Sequence, residues 1–228
     1  MANVSYSGSG LSVHTATKNV DPFHAGAKKA VALDFSSAAD INALAAVGTS
    51  SFTVNTNAGA GEATITAGGS KAKLIHPNIS GTSAANRMTV SARIKSADPA
   101  ETGHGMFVGF AEDVATIANT MTAAGALRAA DNAKDMVGFY KDIAGNLDYY
   151  ASSGSTEGVN EVDSTFDMAA DTYVDLAVEL IGNEARFYRN GDLVKTYTAM
   201  HDQAATLFPV IICSEDEVVT ISAFTAGM

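Results

Sequence analysis

The stretch Asp171-Thr-Tyr-Val-Asp-Leu-Ala-Val-Glu-Leu-Ile-Gly-Asn-Glu-Ala-Arg-Phe-Tyr-Arg-Asn-Gly-Asp-Leu-Val-Lys-Thr-Tyr197 decides the fold. Val174, Leu176, Val178 and Leu180 alternate with Asp175, Ala177 and Glu179. That is the period of a half-buried strand, whose successive side chains leave opposite faces of a pleated backbone. Gly182-Asn183 separates this run from Ala185 to Tyr188, and Asn190-Gly191 separates that one from Leu193 to Tyr197. Two-residue connections of Asn and Gly suit primed turns, whose twist matches that of paired strands. Three consecutive antiparallel strands are predicted, with aliphatic side chains inward and polar ones outward.

The same reading extends in both directions. Ala63 to Ala67, Met88 to Ile94, Met106 to Phe110, Met136 to Tyr140, Leu147 to Tyr150, Leu207 to Ile212 and Val218 to Phe224 complete a set of ten short strands. Ala144-Gly145-Asn146 joins one pair, and Gly59-Ala-Gly61 and Gly68-Gly69 read as turns flanking a hairpin. Short strands with turn signals between them predict an antiparallel sandwich or barrel rather than alternating β and α units. Two segments break the pattern. Ser37 can cap a short helix through Ile41, Leu44 and Val47, and alanine-rich Val114 to Ala130 carries Ile117, Met121, Ala124 and Leu127 or Arg128 at helical spacing. Residues 1–50 are rich in small side chains and read as an N-terminal arm with one short helix; residues 51–228 read as the sandwich.

Composition narrows the function. The 228 residues are 46% hydrophobic and 17% charged, with formal net charge −11, one cysteine and no tryptophan. A lone Cys213 excludes an internal disulfide framework and a cysteine zinc site, and it reads as a small core residue at the end of Val210-Ile-Ile-Cys213. The negative field repels phosphate backbones, so nucleic acid is not an expected partner. No run approaches the roughly 18 apolar residues of a membrane span, and the first residues lack a signal peptide's basic and apolar regions. The expectation is a chain made in a reducing compartment with no membrane partner.

The 171–197 stretch resembles the late strands of concanavalin A-like and laminin G-like jelly rolls. In those folds an aliphatic strand turns into one ending in an aromatic pair, here Phe187-Tyr188, and an Asn-Gly hairpin leads to a short strand closing with Thr. Met88 to Ile94, Met106 to Phe110 and Val218 to Phe224 resemble further strands of such a domain, so the resemblance covers about residues 52–228. It implies an all-β, antiparallel jelly-roll sandwich with one or two short helices added, and is nearly silent on activity. In texture the whole chain also resembles the capsid decoration, or cement, proteins of tailed bacteriophages. That resemblance implies a structural virion protein, made in the host cytoplasm, that binds the major capsid protein on the outer capsid surface as a homotrimer. Tyr6, Phe23, His24, Lys28 and Lys29 would form the binding arm.

Glycosidases need two carboxylates about 5 to 9 Å apart. The candidates are Glu215 with Glu217, which read as a solvated acidic turn, and Asp175 with Glu179, which read as solvent-facing. The absence of tryptophan weakens a sugar-processing cleft, and Tyr149 and Tyr150, with the 152–164 loop, are the candidate ligand face of a lectin-like module. Asp131, Asn132 and Asp135 are weak calcium candidates, with Asp163 and Asp167 as a second set; neither fits an EF-hand loop. His14, His24, His76, His104 and His201 are too scattered for zinc. No nucleophile elbow or Walker loop is present. The sequence therefore predicts a non-enzymatic protein without a cofactor, with a carbohydrate-binding module of a fibre or surface protein as the alternative.

Overall fold

The structure, a computed structural model, describes residues 30–35, 45–48, 53–57, 61–66, 71–75, 79–99, 105–112, 135–141, 146–153, 156–214 and 217–228. They form fifteen strands and no helix: β1 (Ala30–Leu33), β2 (Ala45–Gly48), β3 (Thr53–Asn57), β4 (Glu62–Thr66), β5 (Lys71–Ile75), β6 (Arg87–Ser96), β7 (Gly105–Ala111), β8 (Met136–Lys141), β9 (Asn146–Ser153), β10 (Thr156–Asp167), β11 (Val174–Ile181), β12 (Glu184–Arg189), β13 (Asp192–Thr198), β14 (Phe208–Ser214) and β15 (Val218–Gly227). All ten strands expected from alternation are present.

Two antiparallel sheets stack face to face. The first runs β13-β12-β11-β6-β15-β4-β3, with β1 pairing β15 as an eighth strand, and the second runs β10-β9-β8-β7-β14-β5-β2. The meander predicted from the opening stretch forms one flank of the first sheet. Val174 pairs with Ile94 and Leu180 with Met88 on β6, while Leu180 pairs with Ala185 on β12. Asn190 and Gly191 both have positive φ, 51° and 89°, as a type I′ turn requires, and Gly182 has φ 57° in the other connection. A single buried core lies between the sheets: Val90, Ile94, Leu176, Val178, Phe187, Ile221 and Phe224 from the first meet Val108, Phe110, Phe139, Leu147 and Ile211 from the second.

Part of the stretch assigned to the arm belongs to the sheets. β1 runs antiparallel to β15, Ala30 opposite Gly227 and Leu33 opposite Phe224, and β2 pairs with β5. Val47, expected at the end of a helix, therefore sits in a strand. The spacing of three that suggested a helix is a weak local signal, and cross-strand partners override it. Residues 37–44 and the alanine-rich 114–130 segment lie outside the described residues. The 152–164 segment, expected as a loop, is mostly β10, the edge strand of the second sheet, and pairs with β9 through an irregular register.

Candidate functional site

Tyr149 and Tyr150 are adjacent on β9, so the pleat sends them to opposite faces. Tyr149 points between the sheets and is 4% exposed. Its ring stands edge-on to Phe187 at 5.4 Å and near Phe139 at 5.7 Å, and its hydroxyl donates to Asp163 at 2.7 Å. Burial, then the Asp163 carboxylate, pushes this phenol far above the usual tyrosine range. Tyr150 points outward from the second sheet but is buried, 6.5 Å from Tyr140, in a cluster with Phe107, Ala111, Met136, Val210 and Ile212. Neither ring is open to a ligand. Both are packing residues, which corrects the expected ligand face.

The register explains that second cluster. Across the outer face of the second sheet run the rows Ile212, Phe107, Tyr140, Asp148 and Val210, Gly109, Gly138, Tyr150. The paired glycines leave room for close approach. A Cβ on Gly109 would lie 2.2 Å from the Val137 carbonyl oxygen, and one on Gly138 would lie 2.5 Å from the Phe107 ring. This face is buried, with Phe107, Ala111, Met136, Val210 and Ile212 packed around the two tyrosine rings and the buried Asp148 and Ser152 beside them.

The described carboxylates of the two candidate catalytic pairs are held by cations. Glu217, expected in a solvated turn, is fully buried: its Oε2 accepts from Lys141 Nζ at 2.7 Å and its Oε1 from the Ser96 hydroxyl at 2.5 Å. Lys141, also fully buried, shares the inward side of β8 with Val137 and Phe139, so this pair ties the second sheet to the first. The partner stands 76 residues upstream, so nothing local in the sequence distinguishes Glu217 from a solvated turn residue. Glu179 does sit on the outer side of β11, yet it is buried beneath Arg87, Arg186 and Tyr188, which all bond it. Asp175 pairs with Arg93 at 3.0 Å and is the one half-open member of the set. Glu215 lies outside the described residues.

A second group of charges closes the sandwich edge where β10 faces β12 and β13. Asp163 takes Arg189 as well as Tyr149, and the Arg189 guanidinium lies 4.4 Å from the Phe166 ring. Glu161 takes Lys195 and Tyr197, and these hydrogen bonds hold its carboxyl below the usual range. Of the second calcium set, Asp163 thus has Arg189 and Tyr149 as its partners, and Asp167 is exposed. Of the first set, Asp131 and Asn132 lie outside the described residues, and Asp135 is buried at the foot of β8, exchanging bonds with Glu112. No cluster of three or more metal-ligating side chains occurs among the described residues. The arm residues Tyr6, Phe23, His24, Lys28 and Lys29 are also outside them.

Cys213 is buried in the core, and burial pushes its thiol far above the usual range, as a packing residue requires. The residues that sequence reading missed are Lys141, Ser96 and the Ser83–His201 pair. Lys141 alone left a signal: it continues the inward parity of Val137 and Phe139, which marks a buried charge in need of a partner.

Neither a known protein family nor any curated protein matches this sequence. Solved structures do match in shape. A Bacillus licheniformis β-glucanase superposes with TM-score 0.58 at 10% identity, over 88% of this chain and 98% of that one. The carbohydrate recognition domain of Emp46p superposes with TM-score 0.59 at 8% identity, covering 82% and 89%. A carbohydrate esterase from the Shiga toxin-encoding bacteriophage phi24B gives 0.55 at 14%, covering 86% and 95%. The fold is a concanavalin A-like jelly roll. At these identities the likeness concerns architecture alone.

Proposed function

We propose that this chain is a non-catalytic structural protein that decorates the outer capsid surface of a tailed bacteriophage and stabilises the shell. The observation that carries this reading is the state of the acidic residues. Glu217, Glu179, Asp175 and Asp163 are each engaged by lysine or arginine, so the candidate carboxylates among the described residues are held in ion pairs rather than left free for acid–base work. Net charge −11 suits a protein displayed in many copies away from the genome. Residues ahead of β1 would add backbone hydrogen bonds to the major capsid protein, and the jelly roll would associate as a trimer on a threefold position. Many weak contacts would then sum through multivalency. The test is co-sedimentation with undecorated capsids and heating of the particles, using the full chain and a chain lacking residues 2–29 but keeping β1. Binding and heat protection by the full chain, both lost on deletion, are expected; equal occupancy and equal heat resistance without the arm overturn its role.

A second reading, a carbohydrate-binding module, is favoured by the names of the fold neighbours, a β-glucanase and a carbohydrate recognition domain. Its binding face would have to exclude Tyr149 and Tyr150. A glycan array run with and without calcium decides it, and no binding at millimolar sugar removes it.

A further inference from the structure

Three loops meet around His201 at the end of the first sheet where β6 begins and β11 ends. They are residues 79–86, the β11–β12 turn and residues 199–207. His201 is 5% exposed and Ser83 2%. The Ser83 hydroxyl lies 2.9 Å from His201 Nε2 and donates to the Gly182 carbonyl at 2.7 Å. A hydroxyl has one proton to give. With that proton on the Gly182 oxygen, Nε2 carries the imidazole proton and donates to Ser83, and Nδ1 is the bare nitrogen. Nδ1 is buried and has no hydrogen-bond partner.

The same loops are laced together by the backbone. Gly182 N donates to the Ser83 carbonyl, Ala84 N to Gln203, Ala199 N to Asn183 and Leu207 N to Gly81, all between 2.8 and 3.1 Å. Among the described residues, the charged groups on the elements packed here are few. Glu184 on the turn is held by Arg186, and Arg87 at the start of β6 is held by Glu179. Asp202, beside the ring in sequence, is exposed and its Oδ1 accepts from Ala204 N. None of them accepts from Nδ1.

We propose that His201 is an acid-released latch, in which protonation of Nδ1 frees the 199–207 segment from residues 79–86 and the β11–β12 turn. Protonation would place a charge, and an N–H lacking an acceptor, in a buried site. The direction of the ring's titration agrees: burial, opposed more weakly by the Gly182 backbone and Asp202, holds His201 below the ordinary histidine value. A group neutral when closed and ordinary when open stabilises closure above about pH 6.5, and that contribution is lost as pH falls. Opening would expose Leu207 and Ala205, both buried in the closed form. The latch does not depend on the capsid reading.

Hydrogen exchange of the full chain at pH 7.5 and 5.5, corrected for intrinsic rates, tests the latch. Peptides covering 79–86, 181–183 and 199–207 are expected to lose up to about tenfold of their protection at the lower pH, the most that one proton on an ordinary histidine allows over that interval, while the centre of β6 and β11 holds. The variant His201→Gln is expected to lose this pH dependence. Equal protection at both pH values, or the same loss in His201→Gln, overturns the proposal. Should that variant not fold, an NMR titration of the His201 ring in the native chain decides: proton uptake must coincide with the loss of protection, and uptake with the loops still protected overturns it.

Discussion

Replacing Lys141 by methionine tests whether the charge between the sheets is a tie or merely tolerated. Lys141 and Glu217 are both fully buried and 2.7 Å apart, with Ser96 as the other donor to Glu217. The substitution keeps most of the volume of the side chain but leaves the Glu217 carboxylate buried without its cation. Breaking a buried pair in this way costs about 3–5 kcal/mol, because the remaining ion has been stripped of water with no compensating charge. For a chain of this size that lowers Tm by roughly 6–20 °C, at about 2–4 °C per kcal/mol. Glu217→Leu should cost a similar amount for the mirror reason. The double variant should recover most of the loss, since a hydrophobic pair of similar volume is often neutral or stabilising relative to a buried ion pair. Urea unfolding of the four proteins measures a coupling energy of at least about 3 kcal/mol if this is right. Single variants within about 1 kcal/mol of the parent, or a double variant whose loss is the sum of the singles, refute the reasoning.

Other expectations rest on the same packing. Gly109→Ala and Gly138→Ala place a Cβ 2.2 Å and 2.4 Å from carbonyl oxygens of Val137 and Val108, which the sheet ladder fixes, so each should lose about 1–3 kcal/mol or more; an unchanged melting curve contradicts this. Cys213 should resist a thiol reagent at pH 8 in the native protein and react fully in urea, and fast native labelling would show the strand end to be open. Tyr149→Phe removes the donor to Asp163 and should cost about 0.5–1.5 kcal/mol without altering any glycan binding; altered binding would return Tyr149 to the ligand face. Tyr149, Tyr173, Tyr188 and Tyr197 all have phenols raised by burial first and by a bonded carboxylate next. The neutral phenol is the favoured native form, so this contribution is complete below about pH 10 and lost above it. Ultraviolet titration at pH 11 should show fewer ionised tyrosines than in urea; equal ionisation contradicts it.

The strands legible in the sequence are those with one buried face, because burial imprints alternation locally. Val174 to Leu180 is the clearest case. The strands without a legible pattern are short or polar: Thr53-Val-Asn-Thr-Asn57 has one aliphatic residue, Lys71-Ala-Lys-Leu-Ile75 has lysines at its first and third positions, and Thr156 to Asp167 is studded with acids. Their strand character comes from partners distant in sequence. The same holds at the candidate site. Adjacent Tyr149 and Tyr150 could never have shared a face, which the pleat alone reveals, whereas Glu217 gives no local hint of Lys141. Ser83 and His201 stand 118 residues apart and are brought together only by the loops at the sheet end.

The pairing of β1 with β15 also sets how the molecule bears load. Ala30 and Gly227 sit opposite each other at one end of a four-residue ladder. Tension between the chain ahead of Ala30 and the chain after Gly227 therefore acts across a single rung at a time, peeling β1 away as a zipper opens. The longer β6–β15 ladder, from Val219 opposite Ser96 to Gly227 opposite Thr89, is spared until that strand has gone. If the proposed attachment through the residues ahead of Ala30 holds, β1 would be the first element to yield, giving a few residues of slack before the jelly roll itself is strained.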